Sequence, residues 1–456
     1  MPLALSLCMI VKDEEAMLGD CLASVRGLAS QLIVVDTGSQ DATVSIARAA
    51  GAEIVDFPWC DDFAAARNAA LPHVSGDWVL MLDADERLAP GAAQAVRRAI
   101  ASGVMDCGFL PLLDAERADA SPTEVLSGEA LKGDPILLPR LFRHCDDLRW
   151  EGLVHESVGA WLERGPKRCV RVEAPLIHYG NVESHRAELG KGERNFVLLR
   201  RQVALQPESP TARGYLAREL IRRGEIEAAD QEITAGWKLA LDAWGNGGDS
   251  SRPAVTSLAS LRAFRALALG EFEKTIDTAD RLQSWGIEHP NLLGMRGMAL
   301  HRLACAGPES QRDGLLAAAA QSLGTCLSLR GKVFADELMP GITSWVSASE
   351  MGCVALLLGQ SELALEAFDS ALSAAPGHRE ALFGKAEALL DLGRPRDALA
   401  TLEPLLPSGG ADEWYLGSVL CGALGQDGDA DLFAKKAASL GPVGEKHAYR
   451  RVRYGR

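Results

Sequence analysis

Residues 3 to about 113 alternate short, β-branched apolar runs with longer amphipathic runs, and this alternation restricts the possible folds more than any other feature of the chain. Such a pattern is typical of strand–helix–strand units whose strands lie parallel in one sheet. The predicted strands are 5–11, 32–36, 53–57 and 78–82, and the predicted helices are 15–27, 41–50, 63–71 and 92–101. We therefore predict an α/β domain with a mostly parallel sheet.

The pattern changes twice further along the chain. Residues 111–178 carry short strand-like runs at 136–142 and 169–172 between Gly, Pro and charged residues, and we interpret them as the second half of the same domain. From about residue 188 the sequence is rich in Ala and Leu and predicts only helices. Because 456 residues exceed the size at which one core stops growing, we predict two domains, 1–200 and 201–456.

The helical part contains a repeat. One unit has small residues, an aromatic residue and a closing proline at Gly352, Gly359, Ala364, Phe368, Ala371 and Pro376. A shift of about 34 residues, the tetratricopeptide period, gives a second unit at Ala386, Gly393, Ala398, Leu402 and Leu405. The template also fits Ala217, Gly224, Ala229 and Ile233, and more weakly Gly270, Ala279 and Leu282. A helical bundle with coincidental spacing is the alternative, but two adjacent matching units favour repeats.

Composition disfavours several classes of partner. A formal net charge of −15 opposes binding to nucleic acid or anionic lipid, which need a positive field. The ten cysteines are scattered without a C-x-x-C pair, which is typical of reduced thiols in a reducing compartment. The N-terminus lacks the features of a signal peptide, and no run reaches the roughly eighteen apolar residues that span a bilayer. We expect a cytoplasmic protein with no nucleic-acid partner and no transmembrane segment.

Two predicted strands end in an aspartate, Asp36 and Asp83. In parallel sheets ligands bind beyond the carboxyl ends of the strands, so both residues are candidates for a binding site. Asp83 and Asp85 form a D-x-D turn, and paired carboxylates can hold Mg²⁺ or Mn²⁺ together with the phosphates of a substrate. The same residues could simply cap a helix, because acidic turns are common at helix N-termini.

The turn at 36–41 has the sequence D-T-G-S-Q-D and leads into a predicted helix. Asp36 could accept a hydrogen bond from the N3–H of a uracil base or from a ribose hydroxyl, and the other reading is ordinary loop and capping chemistry. The segment D-D-F-A-A-A-R-N at 61–68 opens the next helix and places Arg67 one turn in. Arg67 could bind a phosphate, pair with a carboxylate of the site, or form a surface ion pair.

Four motifs in this order resemble family 2 glycosyltransferases of the GT-A fold: S-L-C-M-I-V-K-D-E at 6–14, D-T-G-S-Q-D at 36–41, A-R-N at 66–68 and L-D-A-D-E at 82–86. The resemblance covers about residues 5–195 and is strongest to bacterial proteins in which this domain precedes tetratricopeptide repeats. It implies a Rossmann-like, mononucleotide-binding α/β domain and an inverting, metal-dependent transfer from a nucleotide sugar. Thr37 stands where the common family turn has a second aspartate, which shifts the subgroup and not the class.

The resemblance assigns roles to individual residues. Asp36 would contact the nucleotide base, Asp83 the ribose or the metal, and Asp85 the metal. His178, in I-H-Y-G at 177–180, resembles the late histidine that completes the metal shell in several GT-A enzymes. A strand-end histidine bonded to backbone is the alternative for His178. The implied cofactor is Mn²⁺ or Mg²⁺.

The segment W-E-G-L-V-H-E at 150–156 resembles the family segment that ends in V/I-H-E. Inversion needs a carboxylate to remove the acceptor proton, and Glu156 is the first candidate for that base, with Glu151 the second. Either residue could instead form a salt bridge. Downstream, Lys191 and Arg194 could close over the diphosphate as a lid, or be surface charges of a helix.

The leading hypothesis is a glycosyltransferase that moves a hexose from a nucleotide sugar, with UDP-sugars first, to a glycan, peptide or protein acceptor held partly by the repeats. The alternative is a protein-interaction scaffold whose transferase domain has degenerated. The carboxylates that the resemblance requires are all present, which favours the enzyme. No G-x-G-x-x-G follows the first strand, which argues against a dehydrogenase. Nothing in the sequence identifies the sugar.

Overall fold

The protein is described by a computed structural model that covers residues 4–132, 135–165, 167–180, 191–245, 252–332, 334 and 338–444. The chain forms two compact units, residues 1–254 and 255–456. The helices between residues 191 and 245 therefore belong to the same compact unit as the sheet. This division differs from the predicted domain boundary at 200. We keep residue 200 as the proposed point where the sheet domain ends and the helical part of the chain begins. Among these described residues, no helix is long and apolar enough to cross a membrane.

The first unit contains one mixed sheet. Its strands in the described ranges are β1 (Leu5–Val11), β2 (Gln31–Asp36), β3 (Glu53–Asp56), β4 (Trp78–Met81), β5 (Glu86–Leu88), β6 (Cys107–Asp114), β7 (Ile136–Arg143), β8 (Cys169–Arg171) and β9 (Leu176–His178). Their order is β3-β2-β1-β4-β7-β6-β9-β5, with β8 paired to β6. The neighbours β3, β2, β1 and β4 are parallel, and β7 pairs antiparallel with both β4 and β6.

Both faces of the sheet are covered, which is why β1 is apolar except at Ser6. Leu7 and Met9 belong to one buried cluster, whereas Cys8 belongs to a second cluster on the opposite face. The alternation follows from the two-residue period of a strand. A parallel strand with helices on both sides has no polar face, so its sequence is a continuous apolar run.

The first unit also contains nine of the described helices. They are α1 (Leu18–Ser24), α2 (Thr43–Ala49), α3 (Phe63–Ala70), α4 (Ala92–Ala101), α5 (Pro122–Ser127), α6 (Gly159–Glu163), α7 (Lys191–Leu205), α8 (Pro210–Arg222) and α9 (Ile226–Gly245). Helix α4 shows why they form: Ala92, Val96 and Ile100 recur every four residues and all three are buried.

The second unit is helical in its described part. Its helices are α10 (Arg252–Ala268, which begins just before the boundary), α11 (Phe272–Ser284), α12 (Pro290–Ala306), α13 (Glu309–Ser328), α14 (Ser347–Leu357), α15 (Ser361–Ala374), α16 (Arg379–Asp391), α17 (Pro395–Leu402), α18 (Ala411–Ala423) and α19 (Asp427–Leu440). A π-helical turn, Ile342–Val346, precedes α14.

The repeat template has a direct packing explanation. Phe368 on α15 is fully buried. A Cβ atom at Gly352 on α14 or at Gly384 on α16 would collide with its ring, so both neighbouring helices need a glycine there. Gly359 and Gly393 turn the chain with positive φ between the helices of each pair. The predicted α/β domain and the predicted helical repeats are thus confirmed.

The four strands and four helices predicted before residue 102 are all present, with ends that shift by a few residues. The sequence did not reveal β5, β6 or β9. Strands β5 and β9 are only three residues long, and β6 contains Gly108 and Pro111, which weaken a strand signal. Those three strands place several residues of the candidate site.

Candidate active site

The topology brings acidic strand ends to one edge of the sheet. Strands β2, β4, β6 and β9 run in the same direction, so Asp36, Asp83, Asp114 and His178 all lie at or just beyond carboxyl ends. In the sheet register His178 is opposite Asp114 on one side and opposite Glu86 on the other. The site is therefore assembled from strands that are far apart in sequence.

The loops after β1 and β2 are joined into one rim. The Asp36 carboxylate accepts hydrogen bonds from the amides of Gly38 (3.3 Å) and Ser39 (3.1 Å). Asp13 accepts from the Gln40 amide at 2.7 Å, and the Asp13 amide donates to the Ser39 hydroxyl at 3.0 Å. These bonds fix the turn that follows Asp36, so the rim is preformed.

The rim also explains Thr37, which departs from the common family turn. The Thr37 hydroxyl donates to the carbonyl of Val11 at 3.0 Å, and the Thr37 amide donates to the same oxygen at 3.0 Å. The residue is 6% exposed. An ionised aspartate at this position has no proton to donate, so threonine suits a buried partner that is a carbonyl.

A chain of ion pairs links Asp83 to Glu156. Arg67, on α3, contacts Asp83 Oδ1 through Nη2 at 2.8 Å and Glu156 Oε1 through Nε at 2.5 Å. Arg140, on β7, contacts Asp83 Oδ2 at 3.1 Å. Burial opposes the charge of Asp83, but the two guanidinium groups outweigh it and hold the pKa of Asp83 well below its ordinary value. Burial likewise opposes the charge of Arg67, and its two carboxylate partners outweigh that effect and raise its pKa.

Glu86 is the next member of this cluster. Its carboxylate is 2% exposed, accepts from Arg140 and accepts from the Asp83 amide at 3.1 Å. Burial raises the pKa of Glu86 to about 7, because the attraction of Arg140 is offset by the nearby carboxylates of Asp83 and Asp85. Perturbed acids in a cluster of this kind are common at functional sites.

Asp85 belongs to a second group, with His178 and Asp114. His178 Nε2 lies 3.5 Å from Asp85 Oδ2, and His178 Nδ1 lies 2.6 Å from Asp114 Oδ1. Burial lowers the pKa of His178, but the two carboxylates outweigh it and raise it to about 10. A Cβ atom at residue 180 would collide with the Asp85 carboxylate, which explains Gly180.

The donor set fits a divalent metal at Asp85 better than at Asp83. Both oxygens of Asp83 are engaged by arginines, whereas Asp85 Oδ2 and His178 Nε2 face each other. Asp114 behind His178 matches the carboxylate that orients a ligating histidine through its other nitrogen. Within the described ranges no three His, Cys, Asp or Glu side chains form a complete metal group. Mg²⁺ needs only one or two protein carboxylates when phosphates supply the other oxygens.

The two candidate bases lie in different surroundings. Glu156 is 11% exposed and is held by Arg67. Glu151 is 53% exposed and pairs with Arg164 at 2.9 Å. No hydrogen bond or ion pair that we observe links Glu151 to the Asp83 cluster. The structure therefore brings Glu156, and not Glu151, into contact with the carboxyl edge of the sheet.

Arg194 lies on α7, over two aromatic rings. Its guanidinium carbon is 5.0 Å from the centre of the Phe63 ring and 5.9 Å from that of Trp59. Burial lowers its pKa. The contact is a cation–π interaction, so Arg194 is not merely a solvated helix charge. Lys191 begins the same helix, but its side chain lies outside the described part of the chain.

Three residues in or near this edge were not singled out from the sequence: Arg140, Asp114 and Gln202, whose side chain binds the amides of Leu153 and Val154 in the loop before Glu156. Asp114 ends an apolar strand just as Asp36 and Asp83 do, so the same signal could have found it. Arg140 and Gln202 carry no local signal, because an arginine in a strand or a glutamine in a helix is ordinary in sequence. Only the fold shows that Arg140 contacts Asp83 and that Gln202 contacts the loop before Glu156.

The fold and this edge define a class of protein: an α/β domain with its charged site at the carboxyl ends of the strands, followed in the chain by helical repeats. Residues 6–113 match the family model described as Glycosyl transferase family 2, and residues 355–416 match one described as Tetratricopeptide repeat. Residues 6–113 are thus similar to glycosyl transferase family 2, and residues 355–416 are similar to tetratricopeptide repeats, as the sequence resemblance implied.

Curated relatives agree with both matches. A TPR repeat-containing protein of Synechococcus elongatus is 36% identical over 241 residues, which are 51% of this chain and 56% of the relative. The SPbeta prophage-derived glycosyltransferase SunS of Bacillus subtilis is 28% identical over 222 residues, 46% of this chain and 48% of SunS. An uncharacterized glycosyltransferase of Rickettsia typhi is 34% identical over 102 residues, 22% and 35% of the two chains. The chain spans about half the length of the first two relatives.

Proposed function

We propose that this protein is an inverting, metal-dependent glycosyltransferase that moves a hexose from a nucleotide sugar to a glycan, peptide or protein acceptor. The observation that carries the proposal is Arg67, which joins the donor-side carboxylate Asp83 to the candidate base Glu156. The family match of residues 6–113 supports the reaction class. UDP-sugars are the first donors to test.

The donor half of the proposed site uses the rim and the second acidic group. Asp36 would bind the base or the ribose of the nucleotide. Its carboxylate is held in the rim by the amides of Gly38 and Ser39. Asp85 and His178 would hold Mn²⁺ or Mg²⁺, which neutralises charge on the departing diphosphate. We assign Asp83 to holding Arg67 and Arg140, and to the ribose. Arg194 and Lys191 remain candidates for contacts with the diphosphate.

The acceptor half centres on Glu156. Inversion requires a base on the face of the sugar opposite the leaving diphosphate. Glu156 and Asp85 lie on separate elements that meet at the carboxyl edge of the sheet. We choose Glu156 over Glu151 because Glu156 is enclosed and joined to the cluster, whereas Glu151 is exposed and paired elsewhere. Arg67 also holds the Glu156 carboxylate in place through its Nε.

We place the reaction in the cytoplasm, where nucleotide sugars and reduced cysteines coexist. All ten cysteines are free thiols. The repeats would hold the acceptor or a partner protein, since stacked helical repeats present a surface suited to extended chains. The net charge of −15 disfavours a nucleic-acid acceptor.

Nucleotide binding tests the proposal directly. Thermal unfolding of the whole protein is measured with UDP, GDP, dTDP and CMP at millimolar concentration, with and without Mn²⁺. A ligand that binds only the folded state raises the unfolding temperature, so we expect one nucleotide to do so and Mn²⁺ to increase its effect. No shift with any nucleotide would contradict the enzyme and favour the scaffold.

A further inference from the structure

The segment 150–156, which ends in Glu156, has little regular structure of its own. Its one β-bridge joins Glu151 to Ser157 through both backbone hydrogen bonds, at 2.9 and 3.0 Å. A loop held only by this bridge would leave its other backbone groups without partners. In a folded protein such groups must find partners elsewhere, and here side chains supply them.

Helix α3 holds one side of the segment. Asn68 Oδ1 accepts from the Trp150 amide and Asn68 Nδ2 donates to the Trp150 carbonyl, both at 2.9 Å. The Phe63 amide, in the first turn of the helix, donates to the Leu153 carbonyl at 3.0 Å. The motif that supplies Arg67 therefore also fixes the start of the loop.

Helix α7 holds the other side. Gln202 is 7% exposed, and its Oε1 accepts from two consecutive amides, those of Leu153 at 3.0 Å and Val154 at 3.4 Å. Val154 is 3% exposed and belongs to a buried cluster with Phe196 and Leu199 of the same helix. Removing the acceptor would leave buried amides without a partner, which is costly.

We propose that Gln202 is a positioning residue for glycosyl transfer: by binding the amides of Leu153 and Val154 it fixes the backbone two residues before Glu156 and keeps that carboxylate against Arg67. The inference rests on the proposed function, in which Glu156 is the base. It makes α7, a helix that follows the sheet, part of the acceptor half of the site. A carboxylate displaced by about 1 Å can lose about a hundredfold in rate, so a distant clamp can control turnover.

Three variants of the whole protein separate this role from a merely structural one. Gln202→Met removes the acceptor oxygen but keeps the length, and Gln202→Glu keeps an oxygen that can accept from both amides. Gln206→Met, at an exposed glutamine four residues on, is the matched control. UDP release from UDP-glucose and UDP-N-acetylglucosamine reports turnover, UDP titration reports donor affinity, and hydrogen–deuterium exchange reports protection of the Leu153 and Val154 amides.

We expect Gln202→Met to lower kcat by about 10- to 100-fold, with UDP affinity within about twofold of wild type, and to speed exchange in the segment 150–156. Gln202→Glu should recover kcat to within about fivefold of wild type, because a carboxylate accepts amide hydrogen bonds well. Gln206→Met should behave as wild type.

An active wild type whose Gln202→Met variant keeps its kcat would overturn the inference alone, and so would unchanged exchange of the Leu153 and Val154 amides. A fall in UDP affinity equal to the fall in kcat would also contradict it, because the residue would then act on the whole site. A wild type that binds none of UDP, GDP, dTDP and CMP and turns over neither donor would overturn the transfer function itself, and the positioning role with it.

Discussion

Glu86 in the first unit and Glu350 in the second are both enclosed glutamates that accept from an arginine, yet their pKa values move in opposite directions. Burial and the carboxylates of Asp83 and Asp85 raise the pKa of Glu86 to about 7. Burial also disfavours the charge of Glu350, but its partners outweigh that effect and lower its pKa to about 2.

The difference lies in the number of acids that share each cation. Glu350 has Arg302 at 2.9 Å and His301 at 2.6 Å, and both partners lower its pKa. Glu86 shares Arg140 with Asp83. The cluster around Glu86 thus has several acids close together, an arrangement that is common at functional sites. The four predictions below test that contrast.

The largest expected effect is on the donor site. Asp85→Ala should lower sugar transfer by about a thousandfold and remove the Mn²⁺-dependent part of the thermal shift with UDP, because a carboxylate ligand is lost. Asp119→Ala, at an exposed aspartate, is the control and should change neither quantity. Metal-dependent turnover that survives in Asp85→Ala would contradict the assignment of Asp85.

In the helical unit, the largest effect should come from loss of packing. Phe368→Ala should destabilise it by about 3–5 kcal/mol, since a fully buried ring between two glycines is removed and a cavity remains. Urea unfolding measures the loss, and UDP binding by the folded protein should persist. A loss below about 1 kcal/mol would show that the repeats collapse around the missing ring.

Glu350→Gln should destabilise the second unit by roughly 2 kcal/mol at pH 7, because Arg302 and His301 lose their ionised partner. The pKa of Glu350 is lowered on folding from 4.5 to about 2. Its contribution is therefore complete above pH 4.5 and disappears as the pH falls toward 2. Unfolding in urea at several pH values should show wild type and variant converge over that window. If the difference in unfolding free energy between wild type and variant did not change with pH, the pairing with Arg302 and His301 would not be what lowers the pKa of Glu350.

The smallest expected effect is at Glu86, where the change of stability with pH should have the opposite sign to that at Glu350. The pKa of Glu86 is raised on folding from 4.5 to about 7, so its protonated form stabilises the folded state below pH 4.5 and this benefit is lost as the pH rises through 7. Relative to wild type, Glu86→Gln should gain up to about 1 kcal/mol between pH 5 and pH 8. The same urea series measures it, and a variant that loses stability over that range would remove the contrast with Glu350.

Much of the molecule was determined by local sequence. The alternating apolar runs predicted the parallel strands, because a strand covered on both faces must be apolar throughout. The spacing of Gly352, Phe368 and Gly384 follows from helices that approach closely around one ring. Asp36, Asp83 and Asp85 were candidates because acidic residues that follow apolar strands lie where such sheets bind ligands.

Only the tertiary structure decided how these residues are paired. Antiparallel β7 brings Arg140 to Asp83, β9 places His178 between Asp85 and Asp114, and α7 brings Gln202 to the loop that carries Glu156. These contacts join positions far apart in the chain, through short strands and ordinary helical residues. Local propensity depends on neighbours in sequence, whereas the charge of a buried carboxylate depends on neighbours in space, and only folding determines those.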